Sequence, residues 1–327
     1  MSHAVVFDAV GGPEVLKVAD VDVPEPGTGE VRVRVLCIGV NRPDLLFRAG
    51  LYPVKPTLPQ SRLGIEALAV IESRGPGVTG LNVGDRVLVG PVVQQSEHGV
   101  YGEHVVVPAA QTVLAFEGAD DLVTTASWMA YFTAYAGLVT SGGLQAGDPV
   151  LITAASSAVG LAAIDVARHL GAVPIAATRS SAKEEALRDA GARHVVVGRD
   201  QLGDRVRAVT DGRGAALVFD ATGGPEFPST ADAVAEDGTI VVYGWYDERP
   251  AVLPTRWPMN IVGHTNFTTT QDPARLAQAR NFVAAGVRSG AFVPRIDRVF
   301  HGLDQAAAAH RYAAEGGQFG KVLIALD

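Results

Sequence analysis

Residues 148–183 read DPVLITAASSAVGLAAIDVARHLGAVPIAATRSSAK. The apolar run from Val150 to Ala154 predicts a strand buried on both faces of a parallel sheet. The small residues that follow, from Ala155 to Gly160, predict a tight turn into an apolar helix, and Pro174 to Ala177 predict a second strand. A strand, a turn, a helix and a strand within about thirty residues are typical of a βαβ unit that binds a dinucleotide.

The turn supplies the candidate phosphate contacts. Small side chains let the backbone approach a pyrophosphate, and the N–H groups that open the helix bind the anion. The candidate residues are Ser156, Ser157, Ala158, Val159 and Gly160. Compared with G-x-G-x-x-G, only Gly160 is kept, since Ala155 and Ser157 hold the first two glycine positions. A βαβ crossover that binds nothing is the alternative, but the complete context favours a dinucleotide site.

The residues after the second strand discriminate between the two nicotinamide cofactors. An NAD site carries Asp or Glu there for the ribose hydroxyls, whereas a 2′-phosphate requires cations and hydroxyl donors. The candidate phosphate ligands here are Thr178, Arg179, Ser180 and Lys183. In the alternative interpretation, Ser180 or Ser181 caps a helix and Lys183 faces water. Because even this alternative leaves NAD without its carboxylate, the sequence predicts NADPH.

Composition limits the class of protein and its partners. A chain of 327 residues suggests two domains, and 47% hydrophobic with 19% charged residues is a globular composition. The net charge of −8 and the scattered basic residues argue against a nucleic-acid partner. No apolar run is long enough to span a membrane, and MSHAVVFDAV lacks the pattern of a signal sequence. With Cys37 as the single cysteine, we expect a cytoplasmic protein without a membrane partner.

The pattern along the chain predicts an α/β protein. The first 120 residues read as short strands, such as Val31 to Val35 and Ala67 to Glu72, whereas from about 122 to 265 strands alternate with helices. That alternation predicts a doubly wound parallel sheet. Further strands are predicted at 195–197, 217–220 and 240–243, and further helices near 182–190 and 228–235.

The C-terminal residues are expected to return to the first domain. They comprise a helix at 273–285, an extended stretch at 293–300, a short helix near 304–314 and a strand at 321–325. We therefore predict a β-rich domain formed by 1–121 and 266–327, and a dinucleotide-binding domain at 122–265.

Seven segments along the chain carry a family resemblance. They are GGPEVLKV at 11–18, GVNRPDLLFRAGLYP at 39–53, GDRV at 84–87, YGEHVVVP at 101–108, AASSAVGLAAIDVA at 154–167, GRGAALVFDATGG at 212–224 and QFGKVLI at 318–324. Together they resemble the medium-chain dehydrogenase/reductase superfamily, and within it the zinc-free quinone oxidoreductase (zeta-crystallin-like) branch. The resemblance implies a Rossmann-type doubly wound sheet, a GroES-like catalytic domain and a homodimer.

The zinc ligands of related alcohol dehydrogenases are replaced in this chain. Those enzymes carry a Cys after Gly-Val and a His in Gly-His-Glu, where this chain has Asn41 and Ile65. The residues that could still be considered as a makeshift set of zinc ligands are Cys37, Asp44, Glu66 and His104. Cys37 stands in an alternating strand pattern and is more simply a buried small hydrophobe. We therefore predict no metal, which disfavours alcohol oxidation, because that chemistry needs an alkoxide stabilised by a cation.

Asn41 and Tyr52 are the candidate catalytic residues. Asn41 is expected to hold a carbonyl oxygen or the nicotinamide ribose. The resemblance implies for Tyr52 the role of a proton donor, as proposed for a tyrosine in a GLYP-like stretch of enoyl-thioester reductases. The alternative is a turn residue before Pro53 with a wet hydroxyl. Leu46 stands where quinone reductases often have a second tyrosine.

Further cofactor contacts are implied by the resemblance, with core packing or exposure as the alternative for each. They are Thr133, Tyr243, Gly244, Phe267 and Lys321. The function expected is an NADPH-dependent, zinc-independent reductase that transfers hydride to a quinone or an α,β-unsaturated carbonyl compound. The alternatives are an enoyl-CoA or carrier-bound enoyl-thioester reductase, and an NADPH-binding structural or regulatory protein with little turnover. The sequence does not name the physiological acceptor.

Overall fold

Fifteen strands and ten α-helices are described in the computed structural model, which covers residues 2–198 and 200–326. The strands are β1 (Ser2–Val6), β2 (Lys17–Val21), β3 (Glu30–Val40), β4 (Ala67–Arg74), β5 (Arg86–Val89), β6 (His104–Pro108), β7 (Thr112–Leu114), β8 (Pro149–Ile152), β9 (Val173–Thr178), β10 (His194–Val197), β11 (Ala215–Asp220), β12 (Val234–Val242), β13 (Asn260–Gly263), β14 (Ile296–His301) and β15 (Lys321–Ala325). The helices are α1 (Arg42–Arg48), α2 (Gln95–His98), α3 (Asp121–Tyr135), α4 (Ala158–His169), α5 (Glu184–Asp189), α6 (Leu202–Ala208), α7 (Phe227–Ala231), α8 (Asn266–Thr270), α9 (Pro273–Arg288) and α10 (Ala306–Glu315).

The chain divides into two units. The first unit takes in the chain up to Met129, Phe267–Arg288 and the residues from Pro294 onward, and the second comprises Ala130–Asn266 and Ser289–Val293. The predicted ranges, 1–121 with 266–327 and 122–265, assign 122–129, Asn266 and 289–293 differently. In the structure Phe292 stacks on Tyr131 with 4.7 Å between ring centroids, which attaches this segment to the second unit.

The first unit is built on a seven-stranded sheet. Its strand order is β14-β15-β3-β4-β5-β7, and β6 also pairs with β3. The last strand therefore returns to the N-terminal sheet, as the sequence predicts. The antiparallel register of β15 on β3 places Lys321 across from Asn41, and that of β4 on β3 places Glu66 across from Gly39.

The second unit is a six-stranded parallel sheet in the order β10-β9-β8-β11-β12-β13. This is the doubly wound order in which two βαβαβ halves meet between the first and fourth strands, here β8 and β11. Leu151, Ile175, Val218 and Ile240 are buried in the core of this unit. The α/β fold that the sequence predicts, a Rossmann-type sheet with a separate β-rich domain, is confirmed.

Several element boundaries differ from the predicted ones. The strand predicted from Val150 to Ala154 ends at Ile152, because Ala154 has a left-handed backbone with φ of 47°. The helix predicted at 228–235 ends at Ala231, because Val234 pairs with β11 and begins β12. The extended stretch predicted at 293–300 is β14 at Ile296–His301. Strand β13, which the sequence does not predict, adds the sixth strand.

Candidate active site

Asn41, Glu66 and Lys321 form a buried polar cluster at the end of β3. The Nζ atom of Lys321 lies 2.6 Å from Oε2 of Glu66 and 2.8 Å from Oδ1 of Asn41. The second carboxylate oxygen of Glu66 accepts the backbone N–H of Met129 at 2.8 Å. Glu66 is 0% and Lys321 3% exposed. Burial of both charges is tolerated because each is paired and hydrogen-bonded.

The side-chain amide of Asn41 forms hydrogen bonds within this cluster through both its nitrogen and its oxygen. Its Nδ2 atom donates to the carbonyl oxygen of Gly39 at 2.8 Å and to Oε2 of Glu66 at 2.9 Å. Since Lys321 can only donate, its bond to Oδ1 fixes the orientation of the amide. Both amide hydrogens are therefore used, and an additional partner of Asn41 would be a donor to Oδ1. This geometry suits a ribose hydroxyl better than a substrate carbonyl.

Tyr52 lies in the loop that follows α1, the helix that begins directly after Asn41. The backbone N–H of Tyr52 donates to the carbonyl oxygen of Leu46 at 3.2 Å, which anchors the loop to the helix. Burial raises the pKa of the half-buried Tyr52 hydroxyl to about 12, and the nearby Asp44 carboxyl adds to this shift. Among residues 2–198 and 200–326 no side chain or backbone group hydrogen-bonds to that hydroxyl. Tyr52 is thus a protonated donor at neutral pH.

Asp44 is a site residue for which the sequence analysis predicts no catalytic role. It is 0% exposed, and its Oδ2 atom accepts the backbone N–H of Asn41 at 2.9 Å at the start of α1. Like Glu66, it is an acidic residue that an apolar run follows directly. A carboxyl beside such a run is expected to be buried only rarely, and this is the signal that could have identified both residues.

The turn predicted from Ala155 to Gly160 lies between β8 and α4. The Ser157 hydroxyl accepts the backbone N–H of Gly160 at 3.1 Å and caps α4, which begins at Ala158 and continues through Val159. A Cβ atom at Gly160 would lie 2.5 Å from the carbonyl oxygen of Ala154, so the turn is closed too tightly for another residue. The backbone N–H groups at the start of α4 form the kind of site that binds phosphate.

The residues after β9 fold back toward this turn. The Nζ atom of Lys183 donates to the Ser156 hydroxyl at 3.1 Å. Ser180 caps the short 3₁₀ turn at Ser181–Lys183, as the alternative interpretation proposes. That interpretation is wrong for Lys183, which contacts Ser156 instead of simply facing water. Thr178 ends β9, and Arg179 is exposed.

A second polar group lies at the carboxyl ends of β11 and β12. The buried Asp220 carboxylate accepts the Thr153 hydroxyl at 2.8 Å and the backbone N–H of Gly223 at 3.0 Å. Asp220 thereby fixes the loop after β11, a role that the sequence analysis misses. Tyr243 and Gly244 follow β12; the Tyr243 ring stacks on Phe219 with centroids 3.9 Å apart, and its hydroxyl is buried beside Ser157. Ligands of doubly wound sheets bind at this edge.

The remaining predicted cofactor contacts are Thr133 and Phe267. Thr133 is buried in α3, and its hydroxyl accepts the side-chain N–H of Asn266 at 2.8 Å. His264 in turn contacts Asn266 at 3.0 Å, which adds a third side chain to this small network. Phe267 lies half-buried on α8 in the first unit. Among the predicted cofactor contacts, Ser156 and Lys183 are the pair that the structure joins by a hydrogen bond between side chains.

The described residues contain no group of three or more His, Cys, Asp or Glu side chains arranged to hold a metal ion. Cys37 is buried in β3, and burial raises the pKa of its thiol to about 11. His104, another member of the makeshift set, instead contacts Glu72 at 2.9 Å. The described helices include none long and apolar enough to cross a membrane.

Comparison with known proteins places these features in a family. Residues 27–117 match the alcohol dehydrogenase GroES-like domain, and residues 158–284 match the zinc-binding dehydrogenase family. A quinone oxidoreductase from Pseudomonas aeruginosa is 35% identical over 247 residues, which cover 75% of this chain and 74% of the relative. The chain belongs to the medium-chain dehydrogenase/reductase superfamily. Within this superfamily it lies in the quinone oxidoreductase branch, as the sequence resemblance predicts.

Two further similarities extend along nearly the whole of this medium-chain dehydrogenase/reductase. A 2-haloacrylate reductase from Burkholderia sp is 28% identical over 336 residues and covers 99% of each chain. A mycobacterial protein whose structure was solved in complex with NADPH has a TM-score of 0.89 at 27% identity, covering 99% of this chain and 100% of the other.

Proposed function

We propose that this protein is an NADPH-dependent, zinc-independent reductase that reduces a quinone or an α,β-unsaturated carbonyl compound. The observation that carries the proposal is the contact between Lys183 and the Ser156 hydroxyl at 3.1 Å. It brings an ammonium group to the turn between β8 and α4, from a segment that also carries the hydroxyl groups of Thr178 and Ser180. A cation and several hydroxyl donors are the groups that a 2′-phosphate requires.

The turn between β8 and α4 also favours the binding of a pyrophosphate. Gly160 leaves no room for a Cβ atom, and the first N–H groups of α4 point outward from the helix end, where its dipole favours an anion. NADPH, when bound, supplies the hydride. Thr133, Tyr243, Gly244 and Phe267 are kept as proposed contacts of the cofactor.

Zinc independence is supported by the charge at the end of β3. The Lys321 ammonium is bonded to Glu66 and Asn41, so the carboxylate of this cluster already has a cation. A divalent metal at the same carboxylate would meet the repulsion of that ammonium at short range. We therefore assign the electrophilic assistance to a hydrogen-bond donor.

Tyr52 is the donor that we assign to the acceptor. Its hydroxyl is protonated at neutral pH and has no hydrogen-bond partner in the part of the chain that the structure describes. It can donate to the carbonyl oxygen of a conjugated acceptor and pass its proton to the reduced product. Asn41, whose amide hydrogens are committed, is assigned to a ribose hydroxyl through Oδ1.

The cofactor assignment is tested with Lys183→Met. We expect the wild-type protein to oxidise NADPH with a kcat/KM at least about tenfold above that for NADH, since one lost charge-assisted contact is worth about 1.5–3 kcal/mol. Lys183→Met should reduce that preference mainly through the KM for NADPH. Lys17→Met, which removes an exposed lysine of the first unit, is the control. An unchanged preference in Lys183→Met contradicts the assignment.

The acceptor class is tested by NADPH oxidation against quinones, enones, acrylates and enoyl-CoA thioesters. Turnover of quinones or simple conjugated carbonyls supports the proposal. Turnover confined to the thioesters indicates an enoyl-thioester reductase. NADPH binding without turnover of any member indicates a structural or regulatory protein.

The role of Tyr52 is tested with Tyr52→Phe on the best acceptor. Loss of a general acid lowers rates by about 10² to 10⁴, and we expect kcat to fall in this range with a smaller change in KM. Tyr312→Phe removes a tyrosine hydroxyl that is bonded to Asp297 instead, and should leave kcat unchanged. Full activity of Tyr52→Phe would reject Tyr52 as the donor.

A further inference from the structure

The charged groups buried around α1 are unequally paired. Lys321 is bonded to Glu66, and the Arg48 guanidinium donates to the carbonyl oxygen of Gly11 and to His310. Asp44 is 0% exposed, and in the described part of the chain no lysine or arginine nitrogen lies within 4.0 Å of its carboxyl. Asp44 is therefore a buried acid without a cationic partner.

A directed chain of hydrogen bonds ends on this carboxyl. Since Arg48 can only donate, its bond at 3.1 Å makes Nδ1 of His310 the acceptor and leaves the ring proton on Nε2. That N–H donates to the Tyr101 hydroxyl at 3.1 Å, and the Tyr101 hydroxyl donates to Oδ2 of Asp44 at 3.5 Å. Burial and the Arg48 charge lower the pKa of His310 to about 3, so the ring is neutral.

The two oxygens of Asp44 have different surroundings. Oδ2 accepts the backbone N–H of Asn41 at 2.9 Å and the longer bond from Tyr101. Oδ1 is buried and forms no hydrogen bond among the described residues, and the backbone N–H of Ile65, which also acts on this carboxyl, does not satisfy it. A carboxylate would carry negative charge on this unsolvated oxygen at a cost that a bound proton removes.

The groups that face Asp44 come from four neighbouring segments. Lys321 of β15 and the backbone N–H groups favour the ionised form, whereas burial and the negative charge of Glu66 before β4 oppose it. Tyr101, before β6, and Tyr52, after α1, are neutral phenols. Burial is the largest of these effects and raises the pKa of Asp44 to about 7.

We propose that Asp44 holds a proton in the working enzyme and, as a neutral carboxylic acid, is a positioning residue that keeps the Tyr52 hydroxyl able to release its proton. The reason is electrostatic: a negative charge on Asp44 disfavours the phenolate that Tyr52 becomes when its proton moves to the reduced acceptor. When Asp44 loses its proton, Tyr52 becomes a weaker acid. The step in which Tyr52 gives up its proton therefore slows as pH rises through the pKa of Asp44.

The protonation state is tested without any assay of turnover. In infrared spectra at pH 6, the wild-type protein should show the carbonyl band of a neutral carboxylic acid, and Asp44→Asn should lack it. Because the folded protein binds this proton more tightly than the unfolded chain, wild-type stability should fall relative to Asp44→Asn as pH rises from about 4 to about 7, and remain constant above. Absence of the band, or a Tm difference independent of pH, overturns the proposal.

The positioning role rests on the proposed function and is tested through the pH profile of kcat on the best acceptor. The wild-type kcat should fall several-fold along an alkaline limb centred on about pH 7 and then level off, because ionised Asp44 weakens Tyr52 as an acid without removing its proton. Asp44→Asn should lack this alkaline limb. Asp297→Asn is the matched control, since Asp297 also accepts a tyrosine hydroxyl and a backbone N–H, at 2.6 and 2.9 Å, and it should keep the limb. An alkaline limb in Asp44→Asn rejects the action on Tyr52. If no acceptor is turned over, the proposed function fails, while the infrared and stability measurements still decide the state of Asp44.

Discussion

Lys321 and Glu66 form a buried ion pair in the first unit. Lys321→Met would leave the Glu66 carboxylate buried without its cation, and loss of one partner from a buried pair costs about 3–5 kcal/mol. We expect the free energy of unfolding, measured with denaturant, to fall by this amount. The double variant Glu66→Leu/Lys321→Met should recover most of the loss, because two apolar side chains leave no charge unpaired.

A control for this pair exists on the surface of the same unit. Lys17 contacts Asp8, and both side chains are about half exposed. Exposed pairs contribute little, so Lys17→Met should leave the unfolding midpoint unchanged within error. A double variant as unstable as Lys321→Met alone would mean that the hydrogen bonds to Asn41 and Met129 dominate the cluster instead of the charge pairing.

Single residues of this site could be chosen from the sequence, but their pairing could not. Asn41, Tyr52 and Lys321 are predicted as site residues, whereas nothing local links Glu66 with Lys321, which are 255 positions apart. Their contact depends on the registers of β4 and β15 on β3, which a single sequence does not specify. The same limit explains why the sequence leaves two roles for Asn41, a carbonyl oxygen or the nicotinamide ribose: one of its amide hydrogens is used by Glu66, which only the sheet brings close.

At the scale of elements, the turn between β8 and α4 determines where the phosphate groups are expected to bind. A methyl group at Gly160 would meet Ala155 Cα at 2.7 Å as well as the carbonyl oxygen of Ala154. Gly160→Ala therefore forces backbone displacement, which costs about 1–3 kcal/mol of stability. We expect weaker NADPH binding in a fluorescence titration, together with a lower unfolding midpoint.

Gly317→Ala serves as the control for this substitution. A Cβ atom at Gly317 would meet nothing within 4 Å, and its backbone is not left-handed. Its stability and NADPH affinity should therefore match those of the wild-type protein. Equal NADPH affinity in Gly160→Ala would contradict the assignment of this turn to the pyrophosphate.

The sequence predicts helices and strands well where a local pattern defines them. The βαβ unit at 148–183 and the final strand at 321–325 are recognisable from apolar periodicity and small residues alone. The helix predicted at 228–235 is wrong beyond Ala231, because residues with helical propensity are recruited into β12 by pairing with β11. Strand β13 is missed for a similar reason: four residues at a sheet edge carry little periodic signal.

At the scale of the whole molecule, β13 leaves the edge of the second unit's sheet open. The strand pairs with β12 on one side and, in the described chain, with no strand on the other. Monomeric proteins commonly protect such an edge with charged residues or proline, but Asn260–Gly263 contains neither. Ile261 is 37% exposed, and Leu253 and Trp257, in the segment leading to β13, are 70% and 60% exposed. An open edge near exposed apolar side chains favours self-association.

We therefore expect a homodimer in which β13 of one copy meets β13 of the other across a two-fold axis. Such an arrangement is self-complementary, so each copy satisfies the free backbone groups of its partner. Ile261→Lys places two like charges close to the axis and should shift the protein to the mass of a monomer in light scattering. Val83→Lys changes an equally apolar side chain, 62% exposed in the first unit, and should remain dimeric. A monomeric wild-type protein, or a dimer that tolerates Ile261→Lys, would contradict association through this edge.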